Sequence, residues 1–155
     1  MNGHFSTGNE IYRLSEDEAQ NVLQAFLEMG RNEFPNMRID AVNLNFSQKS
    51  VSLALRHIAQ AELQSGDDKF FNLWSMRLGY YFGEALCRAS NRLSWGIGEL
   101  NSAFENHPVI RGFGSGEEAA VITICMNVIL AVAIDGAPAS RIDEAVDHWF
   151  EMAKN

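Results

Sequence analysis

The sequence predicts a mainly α protein: one domain over residues 1–155, built as a bundle of about five helices. Apolar residues recur at spacings of three and four along most of the chain, which is the period of an amphipathic helix. Proline is scarce, with 3 residues, and no stretch rich in Gly, Ser or Pro separates two domains. A chain of 155 residues is long enough to bury one core.

The first helix is predicted to begin after Ser15. The Ser15 hydroxyl can accept a hydrogen bond from the amide of Glu18, whose carboxylate can reach back, so the pair matches a capping box. Pro35 disfavours helical geometry at the residue before it, so this helix should end within residues 30–34. Residues 1–13 are polar and contain glycine, and we expect a loose N-terminal arm.

The stretch before the second helix is ambiguous. Val42, Leu44 and Phe46 alternate with asparagines, which is consistent with a short strand, a loop or an early helical turn. From Ser47 onward the apolar residues return to helical spacing, and Gly66 is the expected left-handed cap of this second helix.

The longest helical segment runs from Asp67 to Leu93, and the fold should be organised around it. Residues placed about 100° apart separate into three faces. One face is an apolar stripe expected in the core: Phe71, Trp74, Leu78, Phe82, Ala85 and Ala89. A second face is a flat strip with Gly79 and Gly83. Glycine costs about 1 kcal/mol relative to alanine in a helix, so another backbone should approach there, either within the domain or from a second copy of the chain. The second case would make the protein a self-associating structural or adaptor protein.

The third face carries Arg77, Glu84 and Arg88, with Tyr81 beside them. Glu84 and Arg88 are four residues apart in the favourable order for an ion pair. Charges on an apolar helix face are uncommon unless they are paired or functional. The line is therefore either a closed ion-pair network or the wall of a polar pocket, and the pocket would make the protein an enzyme or a small-ligand-binding protein.

Residues 94–114 leave the helical pattern and could form a small β-hairpin. Glycines alternate with Trp95 and Ile97, as in a short extended strand, and residues 106–108 are typical of a turn. The GFGSGEE run that follows does not have the G-x-G-x-x-G spacing of a nucleotide-binding loop, so we expect no phosphate site there.

Two more helices are predicted near the C-terminus. Residues 119–134 are almost entirely apolar but fall short of the roughly 20 residues of a membrane span, so we expect a helix that is buried all round at the centre of the domain. Its polar residues, Thr123 and Asn127, should satisfy each other or the backbone. The last helix should begin at Ser140, with Asp143 completing a weaker capping box.

The chain is acidic, with a net charge of -8 at pH 7 and a pI of about 4.9. This charge disfavours binding to a nucleic-acid backbone or an anionic membrane and favours association with a basic partner. Cys87 and Cys125 lie among apolar residues, as expected for buried thiols in a reducing compartment. No signal peptide is apparent at the N-terminus, so we expect a cytoplasmic protein.

No catalytic or metal-binding pattern is recognisable in the sequence. None of the 4 histidines lies four residues from another, and there is no zinc motif and no G-x-S-x-G elbow. We therefore expect a protein without catalytic residues, metal or cofactor, and not an enzyme.

Three short runs between Leu78 and Phe113 carry a family resemblance: LGYYFGEAL, LSWGIG and HPVIRGFG. In this order they resemble a pattern in small bacterial proteins, where a helix is followed by a tryptophan strand and a short return strand. Several such proteins look like immunity proteins, the cognate inhibitors of toxins used in competition between bacteria. The resemblance covers about a quarter of the chain, carries over no functional residue, and implies an acidic protein that binds and occludes a toxin without catalysis.

Acidic and aromatic residues are the expected contacts of such an inhibitor. We expect Trp95 and Phe113 to be aromatic anchors. The predicted acidic contacts are Asp67, Asp68, Glu99, Glu105, Glu117 and Glu118.

Overall fold

The computed structural model describes residues 14–155, and the predicted N-terminal arm lies outside the described residues. Within this range the mainly α fold is confirmed, with five α-helices and one small antiparallel sheet. In chain order the elements are α1 (Glu16–Glu33), α2 (Gln48–Ser65), α3 (Asp68–Ala89), β1 (Ser94–Ile97), β2 (Pro108–Arg111), α4 (Val121–Ala133) and α5 (Ser140–Ala153).

The helix ends follow local signals in α1 and α2 but not in α5. Ser15 Oγ accepts from the Glu18 amide at 3.1 Å, and Glu18 Oε1 accepts from the Ser15 amide at 2.9 Å, so the capping box is confirmed. Gly66 caps α2 with a φ of 61°. No side chain caps α5, because Asp143 pairs with Arg56 of α2 instead of with the helix terminus.

The middle of α3 is the centre of the fold and is buried on almost every side. From Leu78 to Leu86, every residue except Glu84 is buried. The other four helices and both strands contact α3. The predicted apolar stripe therefore describes only part of the buried surface, because Tyr80 and Tyr81 are buried outside it.

The glycine strip of α3 is covered within the chain. A Cβ atom on Gly79 would lie 2.8 Å from Cγ1 and 3.0 Å from Cα of Ile122 in α4. The indole ring of Trp95 covers Gly83 in the same way. Of the two predicted explanations, close packing inside the domain is confirmed, and this strip is not open to a second copy of the chain.

The predicted apolar helix, α4, is not buried all round. One face, which includes Cys125 and Ile129, lies in the core. Another side is partly open, since Met126 is only half-buried and Asn127 is exposed. This corrects the expectation that α4 forms the centre of the domain. Apolar composition does not specify which faces of a helix find neighbours, and α4 has neighbours on one side only.

The segment between α1 and α2 contains no strand. A single 3₁₀ turn, Phe34–Asn36, is followed by an irregular loop. The sequence was compatible with a strand, a loop or a helical turn, and the structure has the loop. Val42, Leu44 and Phe46 pack against the core from this loop. Phe46 has a φ of 64°, which is uncommon for a bulky side chain, and its amide donates to the Tyr81 hydroxyl at 2.8 Å.

The predicted hairpin is confirmed. β1 and β2 pair antiparallel, with Trp95 opposite Ile110. Trp95 and Ile97 pack together on the aromatic cluster between α1 and α3. Ile110 also forms a bridge with Ala119, just before α4, so the hairpin is tied to three helices.

Candidate functional site

The polar line predicted along α3 does not form a shared site. Arg77 Nε donates to Glu33 Oε1 of α1 at 2.8 Å, and its guanidinium lies 4.9 Å from the ring centroid of Trp74. Glu84 accepts a hydrogen bond from Trp95 Nε1 at 2.8 Å. Each charge is thus paired with a different neighbour.

Tyr81 and Arg88, the other polar residues of this line, contact residues of α2 and of the loop before it. The Tyr81 hydroxyl lies 2.6 Å from Ser50 Oγ, and the Arg88 guanidinium lies 3.5 Å from the ring centroid of Phe46. Glu84 and Arg88 therefore do not close an ion pair with each other. Tyr81 is 0% exposed, so it cannot wall a pocket that is open to solvent.

The two thiols are unsuited to nucleophilic chemistry near neutral pH. Burial raises the pKa of Cys87 to about 11, with the carboxylate of Glu84 adding to the effect. Burial also raises the pKa of Cys125 far above its ordinary value. The thiolate is the reactive form of cysteine, so both side chains serve as small apolar groups at pH 7.

Among residues 14–155, no group of three or more His, Cys, Asp and Glu side chains is placed to hold a metal ion. No helix in this range combines the length and the apolar character that crossing a bilayer requires.

Two of the six predicted acidic residues, Glu99 and Glu105, meet at a concave surface between the start of α1 and the hairpin, which we call the acidic concavity. It has a volume of about 660 Å³ and is lined by the carboxylates of Glu16, Glu99 and Glu105. The guanidinium of Arg111 also lines it, but is already paired with Glu99 at 3.2 Å and with Glu118 at 3.1 Å. Among the described lining residues there are three carboxylates and one cation, which favours a negative surface.

The two predicted aromatic anchors differ in their placement. Trp95 lines the acidic concavity, half-buried, with its ring stacked on Tyr80 at a centroid distance of 6.3 Å. Phe113 is 4% exposed and packs on Trp149 of α5. This corrects the expectation of an exposed anchor at Phe113. The chain turns at Gly112, where φ is 110°, and Phe113 enters the core.

The remaining predicted contacts, Asp67, Asp68 and Glu117, do not line the acidic concavity. Asp67 is the N-cap of α3 and accepts from the Lys69 amide at 3.0 Å. Asp67 and Asp68 act on the buried Glu62 rather than on the hairpin, since burial and these two neighbouring charges raise the Glu62 pKa. Glu117 is exposed in the turn before α4.

A second concave surface lies between α1, α3 and α4, and sequence reasoning missed it. We call it the apolar groove; its volume is about 750 Å³. The described residues that line it include no Asp, Glu, Lys or Arg. They are Val22, Ala25, Phe26, Met29, Asn72, Ser75, Met76, His107, Pro108, Ile122, Thr123, Met126, Asn127 and Leu130. The signal for it was the surplus apolar surface of α4 together with the polar pair Thr123 and Asn127, which lie on the open face rather than in the core.

The chain matches no known protein family, no curated protein and no solved structure.

Proposed function

We propose that this protein is a non-catalytic, cytoplasmic inhibitor that binds a basic protein partner, a cognate toxin as the sequence resemblance implies, and occludes it. The observation that supports the proposal is the acidic concavity, where Glu16, Glu99 and Glu105 gather beside a fixed tryptophan. Complementary charge accelerates encounter and selects partners, and a net charge of -8 extends the attraction beyond the contact surface.

The carboxylates of this surface are held in place before any partner arrives. Glu105 Oε1 accepts from the Asn101 amide at 2.7 Å, which fixes it across the hairpin loop. Glu99 is held by Arg111, and the Glu99 amide donates to Glu118 Oε1 at 3.2 Å. Side chains that are already ordered lose less conformational freedom on binding, so these contacts favour affinity.

Trp95 is equally well fixed. Its ring lies edge-on to Phe26 at a centroid distance of 5.5 Å and stacks on Tyr80, while its Nε1 donates to Glu84. Rigid aromatic groups surrounded by polar residues are common energetic centres of protein interfaces. The exposed part of Trp95 would give a partner an apolar contact inside a ring of carboxylates.

Co-expression with the product of the neighbouring gene, where the proposal expects the toxin to be encoded, tests the proposal. Cells that produce both proteins are expected to survive, and the two proteins are expected to elute together in gel filtration. Death of the cells despite normal production of the wild-type protein, or elution of two separate proteins, would contradict the proposal.

A matched pair of variants locates the contact. The double change Glu99→Gln and Glu105→Gln removes two charges from the acidic concavity but keeps hydrogen-bonding oxygens, and is expected to weaken protection. The control is Glu144→Gln with Glu151→Gln, two exposed carboxylates of α5, which is expected to protect as the wild type does. Equal protection by both double variants would place the contact elsewhere.

A further inference from the structure

We propose that the apolar groove is a binding site for an uncharged small molecule that is mostly apolar and carries one neutral hydrogen-bonding group. This inference is independent of the inhibitor function, because it rests on a different surface. The walls come from three helices that the core already holds in place, so the groove exists without a ligand.

The shape of the groove suits a small molecule. Its volume of about 750 Å³ lies in the range of roughly 300–1,000 Å³ that is typical of small-molecule pockets. On α4, Ile122, Met126 and Leu130 are spaced four residues apart, so they form a continuous apolar wall about 12 Å long. A flat protein surface laid across a cavity of this size would leave it empty, so the occupant must fill it.

The chemistry of the walls disfavours a charged ligand. None of the described lining residues is an acid, a lysine or an arginine. The one titratable side chain among them is His107, whose ring already packs edge-on to Phe104, so the described walls offer little counter-charge. Burial of an unpaired charge in apolar surroundings is strongly unfavourable. Met29, Met76 and Met126 line the groove, and their flexible thioether side chains can adapt to the outline of an apolar molecule.

The polar groups in the groove supply the hydrogen-bonding function. Ser75 is 1% exposed, and its Oγ has no hydrogen-bond partner among the described residues. Asn72 lies one turn before it on α3, and Thr123 and Asn127 lie one turn apart on α4. Most buried polar groups in proteins are hydrogen-bonded, so an unpartnered hydroxyl in the wall of an apolar groove indicates a ligand with a neutral amide, ester or hydroxyl group.

Methionine methyl groups provide a direct readout. Three of the 6 methionines line the groove, while Met37 is buried in the core and Met152 lies on α5. The full-length protein, with isotope-labelled methionine methyl groups, is titrated with decanamide below the concentration at which the amide aggregates. We expect saturable shifts of the Met29, Met76 and Met126 signals, and none at Met37 or Met152.

The charge requirement is tested with decanoate, which has the same chain and an ionised head group. At pH 7 it is expected to bind at least about tenfold more weakly than decanamide, since its carboxylate would be buried without a counter-charge. Equal binding of the two probes would overturn the proposal.

Two variants test the location of the site. Val22 is 42% exposed at the groove, and Val22→Glu, which the exposure of the side chain should allow to fold, is expected to weaken decanamide binding about tenfold. Leu63→Glu is the matched control, because Leu63 is 57% exposed on α2 and lies outside the groove. It is expected to bind decanamide within about twofold of the wild type. Circular dichroism checks that both variants are folded.

Three further results would overturn the proposal. The first is the absence of any saturable shift at the three groove methionines. The second is unchanged binding to a folded Val22→Glu variant. The third is a shift of the same three signals with protein concentration in the absence of a probe, which would show that a second copy of the chain covers the groove.

Discussion

Consecutive residues in the middle of α3 face different parts of the molecule. Tyr80 packs edge-on to Phe26 of α1, whereas Tyr81 stacks on Phe34 beyond the end of α1. Phe82 stacks on Phe150 of α5 at a centroid distance of 6.1 Å. A helix turns about 100° per residue, so three successive large side chains reach three separate neighbours. This arrangement makes α3 the element on which the others assemble.

Gly79 is required by the contact between α3 and α4. In Gly79→Ala, the new methyl group meets the Ile122 backbone at 3.0 Å, and overpacking of this kind costs about 1–3 kcal/mol. The better helix propensity of alanine returns only about 1 kcal/mol. We expect a net loss of about 1 kcal/mol in the free energy of unfolding, measured by urea denaturation.

The control for this change is Gln60→Ala on the exposed side of α2, which is expected to alter the free energy of unfolding by less than about 0.5 kcal/mol. An increase in stability for Gly79→Ala would show that the two helices are less closely packed than described.

Cys87 should react slowly with alkylating reagents near neutral pH. Its pKa is raised to about 11, chiefly by burial, whereas an ordinary thiol has a pKa of about 8.5. The rate of alkylation by iodoacetamide should therefore keep rising with pH well above pH 9. A rate that levels off near pH 8.5 would mean that the thiol is not desolvated. Cys125 should react only when the protein unfolds, because it is fully buried.

The contacts of individual side chains were harder to predict from the sequence than the helices or the fold. Phe113 was expected to be an aromatic anchor for a partner, but Trp149, 36 positions later, covers it. Glu84 and Arg88 had the spacing of an ion pair, yet Trp95 and Phe46 bind them instead. Spacing along a helix shows which side chains can meet, and not which neighbours from distant segments will compete for them.

At the level of elements, the turn between α2 and α3 brings three acids together. Glu62 lies in the last turn of α2, 5% exposed, with one carboxyl oxygen lacking a hydrogen-bond partner within the described chain. Asp67 and Asp68 suit the positive end of α3, whereas Glu62 lies at the negative end of α2. The Glu62 pKa is raised by burial and by these two aspartates.

Glu62→Gln is therefore expected to stabilise the protein at pH 7. Because the folded-state pKa is raised above 4.5, the folded protein holds this proton more tightly than the unfolded chain, and stability falls as the pH rises through that range. The glutamine side chain of the variant has no carboxyl proton to lose in this pH range. Its melting temperature should exceed that of the wild type at pH 7, and the difference should shrink below about pH 4.5.

Glu144→Gln, an exposed position on α5, is the control and should melt as the wild type does at both pH values. A Glu62→Gln variant that melts at a lower temperature than the wild type at pH 7 would mean that the ionised carboxylate is stabilised by contacts other than those described.

The boundaries of the helices were predicted better than the neighbours that bury each helix. The capping box, the glycine cap and the Pro35 stop are local signals, so α1 and α2 begin and end close to the predicted residues. α4 was correctly predicted as a helix, but the extent of its burial was predicted wrongly. The positions of α1 and α3 determine which side of α4 stays open, and these positions cannot be read from the sequence of α4. The apolar groove could therefore not be located from the sequence, although the apolar surplus of α4 and its polar pair were signals of an open face.

At the scale of the whole molecule, the two candidate surfaces have opposite chemistry. The acidic concavity is formed by the hairpin and the start of α1, and it presents carboxylates on an ordered loop. The apolar groove is formed by three helices and the start of β2, and it presents no acid, lysine or arginine among its described residues. The first suits a basic protein and the second an uncharged small molecule, so each can be altered without changing the other.

The proposed electrostatic contact makes a specific kinetic prediction. Attraction between a negative surface and a basic partner acts mainly on the association rate, and salt screens it. The rate should therefore fall as the salt concentration rises. Removal of charges that lie at the contact should slow association much more than removal of the same number of charges elsewhere, since interactions beyond about 10 Å are largely screened at 0.1 M salt.

The most direct test is the association rate with the proposed toxin partner, measured by stopped-flow fluorescence at about 0.1 M salt for the wild type and for the two double variants. The Glu99→Gln, Glu105→Gln protein is expected to associate on the order of tenfold more slowly than the wild type, and the Glu144→Gln, Glu151→Gln protein within about twofold of it. Equal rates for all three proteins, or equal slowing by both double variants, would contradict the assignment of the acidic concavity as the contact surface.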